Sequence, residues 1–243
     1  MLNKHNMKKL LLISAMMLSS FRLLAQDDAL RLGVRLGGGI SKCSGVGDIL
    51  VPEDYYSNYS FSESFQAVPV GGVFVHYHKS GSLFGVEAGM SFYQRASKLS
   101  YKDNMDLNYD VTTRYSHLGI EGMLKCYPWR KGFNIQLGGR ISSVLNSDGL
   151  DYSSNQEDER FASFQYSTVA ETQRIMRDKL TGRPDVAVGG GLGYEIGSHW
   201  SIDAAYYYGV TSTIKTETNT FNWSDRNVHS HNIELHVSYL FKL

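Results

Sequence analysis

Proline and cysteine are scarce in this chain of 243 residues, with four and two respectively, and neither sign of charge is in surplus, since 24 Lys and Arg stand against 24 Asp and Glu. Each shortage excludes something. Two cysteines cannot staple a small disulfide-rich fold, and no Cys/His spacing matches a structural zinc site. A balanced charge argues against a nucleic-acid partner, whose phosphates call for a basic face. Beyond residue 25 no apolar run approaches the ~18 residues that a membrane-crossing helix needs. What the chain has in quantity is 24 Gly, 16 Tyr and 11 Phe, on a length that suits one large domain or two small ones.

The one sustained apolar run lies at the start. Lys4, Lys8 and Lys9 precede Leu10–Leu18, and Ala25 is followed by Gln26, Asp27 and Asp28. A basic region, a short apolar stretch and a small residue at a cut make a secretory signal peptide over residues 1–25, leaving 26–243 as a single mature domain. The cut removes four basic residues (Lys4, Lys8, Lys9 and Arg22) and no acidic one, leaving 20 basic against 24 acidic, a net charge of −4.

The remainder alternates with a period of two, the mark of strands with two unlike faces. Eight such segments follow one another: Leu30–Ile40, Gly72–His78, Phe84–Phe92, His117–Cys126, Phe133–Ser142, Asp185–Ile196, Trp200–Val210 and Asn232–Leu243. In the sixth, Val186, Val188, Leu192, Tyr194 and Ile196 alternate with Asp185, Gly189, Gly191, Gly193 and Glu195. Short turns (Lys79–Ser82, Trp129–Gly132 and Gly197–His199) alternate with four longer connections, about Ser44–Ser64, Tyr101–Arg114, Asn146–Arg183 and Lys215–Ser230. All short turns, and both chain ends, therefore fall at one end of the sheet, which is the layout of an eight-stranded antiparallel up-and-down transmembrane β-barrel.

Parity does not say which face is inside. A soluble lipocalin-like barrel turns its apolar face inward, a membrane barrel outward. The polar face here carries twelve glycines and charges of both signs, and aromatic residues mark the short-turn end of the apolar face: Tyr77, Phe84, Phe133, Tyr194, Trp200, Tyr239 and Phe241. Glycine on a concave wall makes room for larger neighbours, mixed charges can pair across a narrow lumen, and rings at one level form an interfacial girdle. All three favour lipid outside. The expected lumen network is Arg31, Arg35, His76, His78, Glu87, His117, Glu121, Lys125, Arg140, Asp185, Glu195, Asp203, Glu234 and His236. Eight strands enclose a bore that side chains can fill, so a plugged lumen is expected.

The signal peptide ending at Ala25-Gln26, the glycine-rich Leu30–Ile40 strand, the Gly189–Ile196 strand and the terminal His231–Leu243 strand resemble the porin-family (PorT-like) outer-membrane barrels of Bacteroidota and, more distantly, the OmpA/OmpX barrels. The resemblance covers the whole mature chain and is one of pattern. It implies location in the outer membrane, a terminal strand read by the barrel insertion machinery, and for the secretion-associated members a role in export.

Two histidine pairs, His76-x-His78 and His229-x-His231, each put two imidazoles on one strand face, but neither has a third ligand in evidence, so no metal or cofactor is assigned. Gly189–Gly193 sits inside an alternating strand with no helix after it, and fails as a phosphate loop. No nucleophile elbow occurs, so no catalytic residue is assigned. Cys43 and Cys126 fall at opposite ends of the barrel and should be free thiols. The Asn146–Arg183 segment, with Glu157, Asp158, Glu159, Arg160, Phe161, Phe164 and Tyr166, is long enough to hold structure of its own, either a helix near Ser167–Leu180 or strand extensions above the membrane. The first long connection is rich in aromatics (Tyr55, Tyr56, Tyr59 and Phe61), which suit either adhesion or packing on one another. The expected role is structural or surface-interacting through the long loops, with a surface or envelope protein as possible partner; the alternatives are an accessory of a secretion or transport assembly and a lipid-modifying enzyme.

Overall fold

The computed structural model describes residues 29–47, 59–104, 106–155, 158–159, 167–216 and 227–242. The signal segment, Tyr55, Tyr56, Glu157, Arg160–Tyr166 and Leu243 lie outside the described residues. Eight strands carry the wall: β1 (Leu30–Ser44), β2 (Tyr59–Tyr77), β3 (Phe84–Asp103), β4 (Asn108–Cys126), β5 (Phe133–Val144), β10 (Asp185–Ile196), β11 (Trp200–Gly209) and β13 (His229–Lys242). Each pairs antiparallel with its neighbours, and β1 closes on β13 with Leu36 opposite Val237, so the ring has no edge. The chain is thus all-β, an eight-stranded up-and-down barrel. Between β5 and β10 come β6 (Leu150–Ser154), β7 (Asp158–Glu159), β8 (Ser167–Thr168), the helix α1 (Val169–Lys179) and β9 (Leu180–Gly182); β12 (Ile214–Thr216) follows β11. Among the described residues no helix is long and apolar enough to cross a membrane; strands cross instead.

The short turns join β2 to β3, β4 to β5 and β10 to β11, and each holds one glycine at positive φ: Gly81, Gly132 and Gly197. At the other end the wall is uneven. The expected loop Tyr101–Arg114 is not a loop over most of its length: β3 runs to Asp103, β4 starts at Asn108, and the two stay paired to Lys102–Asn108. Likewise Tyr59–Ser64, expected in a loop, belongs to β2, and β6 adds to the upper part of β4. The result is a four-stranded sheet, β2–β3–β4–β6, standing above the rest of the ring.

The faces divide as lipid demands. Ile120, Leu137 and Ile141 are each about two-thirds exposed, at 69, 68 and 67%, while Arg35, Glu87, Glu121, Lys125, Arg140, Asp203 and Glu234 are buried. Water would not tolerate that exchange, and hydrocarbon favours it. On β3 and β4 the sense of the alternation reverses at the pair Phe92–Leu118: below it the outward residues are apolar (Met90, Ala88, Ile120, Leu124), above it polar (Lys98, Ser100, Asp110, Thr112), while Leu99, Tyr101, Tyr109 and Val111 turn inward and are buried. At the short-turn end Trp129 packs on Phe133 at 5.0 Å, Trp200 on Tyr239 at 5.0 Å and Tyr239 on Phe241 at 4.8 Å, an aromatic belt at that level.

Above the reversal the barrel is capped by an apolar cluster: Val46, Leu99, Tyr109, Val111, Tyr115, Leu150, Met176, Leu180, Ile214 and Val228 are all buried in it. Helix α1 is capped by Thr168, whose hydroxyl accepts the Glu171 N–H at 3.3 Å. It fastens β6 from the side, with Gln173 accepting the Tyr152 N–H at 3.1 Å and Arg177 Nε donating to the Leu150 carbonyl at 2.6 Å. Pairing of β9 with β12 ties the third long connection to the fourth.

Candidate functional site: the lumen

Every strand contributes inward side chains, and the contacts they make run across the bore. Arg35 on β1 bonds Glu87 on β3 and, at 2.6 Å, Glu121 on β4. Its guanidinium lies 4.3 Å from the Phe74 ring centre, and that ring fits because Gly33 and Gly89 flank it, where a Cβ would collide with its atoms. Lys125 reaches Glu87 at 2.8 Å and Asp203 at 3.5 Å. Asp203 also accepts from Ser201 at 2.8 Å and from Gln136.

Nearer the long-loop end Arg140 on β5 meets Glu234 on β13 at 2.6 and 3.2 Å, sandwiched between the rings of Tyr93 and Tyr207 at 3.6 and 3.8 Å. His236 holds the second Glu234 oxygen at 3.2 Å. Asp185 is bonded by Arg95, which also donates to Asn232 at 3.1 Å; His117 stacks on Tyr93 at 5.3 Å. At the short-turn mouth Arg31 lies 3.6 Å from Glu195, His76 lies 3.4 Å from the same carboxylate, and Tyr127 donates to it at 2.5 Å while stacking on His78 at 3.8 Å.

All fourteen residues expected in the lumen face it, twelve buried and Arg31 and Glu195 partly so. Sequence reasoning missed Arg95, Tyr93 and Tyr127; Gln136 and Asn232 fall on the polar face by parity but were not counted in the network. Arg95 matters most, since it is wholly buried and raises the cations to five against six carboxylates. Its only sequence signal was parity continued past Phe92. The second histidine pair sits at the rim and is spoken for: His229 bonds the Gly209 carbonyl at 2.9 Å, and His231 bonds Tyr206 at 2.7 Å and Ser44 at 3.2 Å through its two nitrogens. Cys43 and Cys126 are both free.

A closed antiparallel ring with an apolar outside and a charged inside decides the environment, and the family follows. The model of the outer membrane protein beta-barrel domain matches residues 11–241. The chain belongs to that family. It is accordingly an outer-membrane protein with lipid around its wall. No curated protein matches it significantly. Among solved structures it is similar to Ail, the attachment invasion locus protein of Yersinia pestis (13% identity, 88% of this chain and 99% of that one, TM-score 0.39). It is also similar to Neisserial surface protein A (12%, 87% and 97%, TM-score 0.42) and OprG of Pseudomonas aeruginosa (13%, 90% and 99%, TM-score 0.39). At such identities and scores these likenesses add nothing to what the strand order already shows for this family member.

Proposed function

We propose that this outer-membrane barrel is closed to solutes and acts through its upper half, as a structural or surface-interacting protein rather than a pore or an enzyme. The observation that carries the reading is the set of ion pairs crossing the bore: Arg35 with Glu87 and Glu121, Arg140 with Glu234, and Arg95 with Asp185. Each ties walls two or three strands apart, and the apolar cap lies over them. Opening a path would separate buried charges from their partners, at several kcal/mol each. Reconstituted in a planar bilayer, the protein should give no steady conductance, and vesicles containing it should not swell in sugar solutions; a stable open level in either assay refutes the closed lumen.

The surface role rests on the raised β2–β3–β4–β6 sheet with α1 against it, which presents Ser60, Ser62, Ser100, Lys102, Asn108 and Asp110 to the outside. A surface or envelope protein is the proposed partner. Replacing residues 146–183 with a short turn should leave the barrel inserted and abolish surface attachment; unchanged attachment would move the role elsewhere. Recognition by the insertion machinery through β13 is likewise proposed, and removal of Phe241–Leu243 should lower outer-membrane levels. The finer kinship with PorT-like barrels of Bacteroidota is a proposal carried by the sequence resemblance alone.

A further inference from the structure

We infer that the short-turn mouth of the lumen is a site for one divalent transition-metal ion of the zinc class, held by His76, His78 and Glu195. The three side chains each offer a ligand atom, and these atoms all lie within 4.8 Å of one another. His76 and His78 share the lumen face of β2, as alternate residues of a strand must. Glu195 comes from β10, four strands away around the ring and so directly opposite. The third ligand missing from the sequence spacing is thus supplied across the bore.

The groups behind the two imidazoles leave a lone pair free for a metal. His78 Nε2 lies 3.0 Å from the Ser82 carbonyl, which can only accept, so Nε2 carries the proton and Nδ1 keeps its lone pair. His76 has Glu87 3.7 Å from Nδ1 and Glu195 3.4 Å from Nε2, so it lies between one carboxylate and the proposed ligand, the order in which a carboxylate can support a metal-bound imidazole. Arg31 engages Glu195 through Oε2, leaving Oε1 turned toward His76 and Tyr127. A donor set of two nitrogens and one oxygen suits Zn²⁺ or its neighbours, whereas Ca²⁺ and Mg²⁺ call for oxygen alone; the Tyr127 oxygen or a water completes four-coordination.

Charge points the same way. In the long-loop half, Arg95 pairs with Asp185 and Arg140 with Glu234. Over the whole lumen five cations stand against six carboxylates among the described residues, so positive charge is in short supply. Arg31 and Lys125 are the positive groups facing the site; Arg31 is paired with Glu195 itself, through the oxygen turned away from His76, and Lys125 with Glu87 and Asp203.

The test uses the full-length protein extracted from outer membranes in detergent, stripped with a chelator and titrated with Zn²⁺ and Co²⁺. One equivalent should bind, with Co²⁺ giving the intense visible bands of a four-coordinate site. His78→Gln and Glu195→Gln should weaken binding roughly a hundred-fold or more, beyond what loss of an outer-shell partner costs, while the double change His229→Gln, His231→Gln should leave it unaltered. Failure of the wild-type protein to bind either ion, or binding lost with the rim pair and kept in His78→Gln, overturns the assignment. Should the lumen variants not fold, as judged by heat-dependent gel migration, X-ray absorption of the zinc form of the His229→Gln, His231→Gln protein decides: two imidazoles bound to the zinc support the site, and fewer refute it.

Discussion

The barrel has two interiors, one above the other, of opposite kinds. Below the level of Phe92 and Leu118 the buried groups are charged, as with Arg35, Glu87, Lys125 and Arg140, and the exposed ones are apolar. Above that level Leu99, Val111, Leu150, Met176 and Leu180 are buried, and Lys98, Asp110 and Lys102 face out. The same two strands, β3 and β4, run through both without a break in register. Backbone and pleat are unchanged; only the surrounding solvent differs. In hydrocarbon, apolar burial yields no hydrophobic gain, so the outward face takes the greasy residues and the inside is held by mutual satisfaction of polar groups. In water the ordinary rule returns, and the cap is built as a small soluble core.

Substitutions can break this contrast in either half. Arg140→Met should have the largest effect, about 3–5 kcal/mol, because it leaves Glu234 buried without its cation; urea unfolding in detergent measures it. Adding Glu234→Leu should recover much of the loss, which a purely packing role for Arg140 would not allow. Val188→Arg, on the lipid face opposite Gly139 and Tyr208, should cost about 2–4 kcal/mol by the same measurement; no change would mean that this face does not meet hydrocarbon. Met176→Ala in the cap should cost about 2 kcal/mol and show as faster proteolysis of residues 146–183 with the barrel intact. Thr168→Ala removes the α1 cap at about 1 kcal/mol, visible as lost amide protection in the first turn.

The smallest effect is at Asp110. Its burial raises the carboxyl pKa, but bonds from Lys98 at 2.8 Å and Ser100 at 2.6 Å prevail and hold it below 3.8. The stabilisation is therefore present above the unfolded value and lost as pH falls through the folded one. With both side chains over a third exposed, Asp110→Asn should cost at most about 1 kcal/mol at neutral pH. That difference should shrink below about pH 4, and one that persisted there would locate the effect in packing.

The same contrast explains what was legible in the sequence. Asp185–Ile196 could be bounded from residues alone because glycine and acid on one side and Val186, Val188, Leu192 and Tyr194 on the other differ at nearly every step, Ala187 and Gly190 excepted. Tyr93–Asp103 could not, because the sign of the pattern inverts at Tyr93, and an inversion reads as the end of a strand although the backbone continues. Arg95 was lost with it, and Ser, Asn and Asp in the upper strands passed for loop. The lumen members were legible by parity. Their partners were not, since Arg35 and Glu121, or His76 and Glu195, share no local pattern and meet only when the ring closes. Helix α1, with an N-cap at Thr168, was foreseen as one of two options, and the strand extensions, the other, occur as well, on neighbouring strands.

The cross-bore bonds join residues far apart along the chain, with separations of 86 for Arg35–Glu121, 90 for Arg95–Asp185 and 94 for Arg140–Glu234. None can form until the sheet has curled far enough to bring strands two or three places apart face to face. Until then eleven ionised side chains must stay hydrated, so their water has to be shed after the strands have paired. In refolding into lipid vesicles, the near-ultraviolet signal of Tyr93 and Tyr207 clamping Arg140 should therefore trail the far-ultraviolet signal of the strands; simultaneous appearance would mean that the bore is dry from the moment it closes.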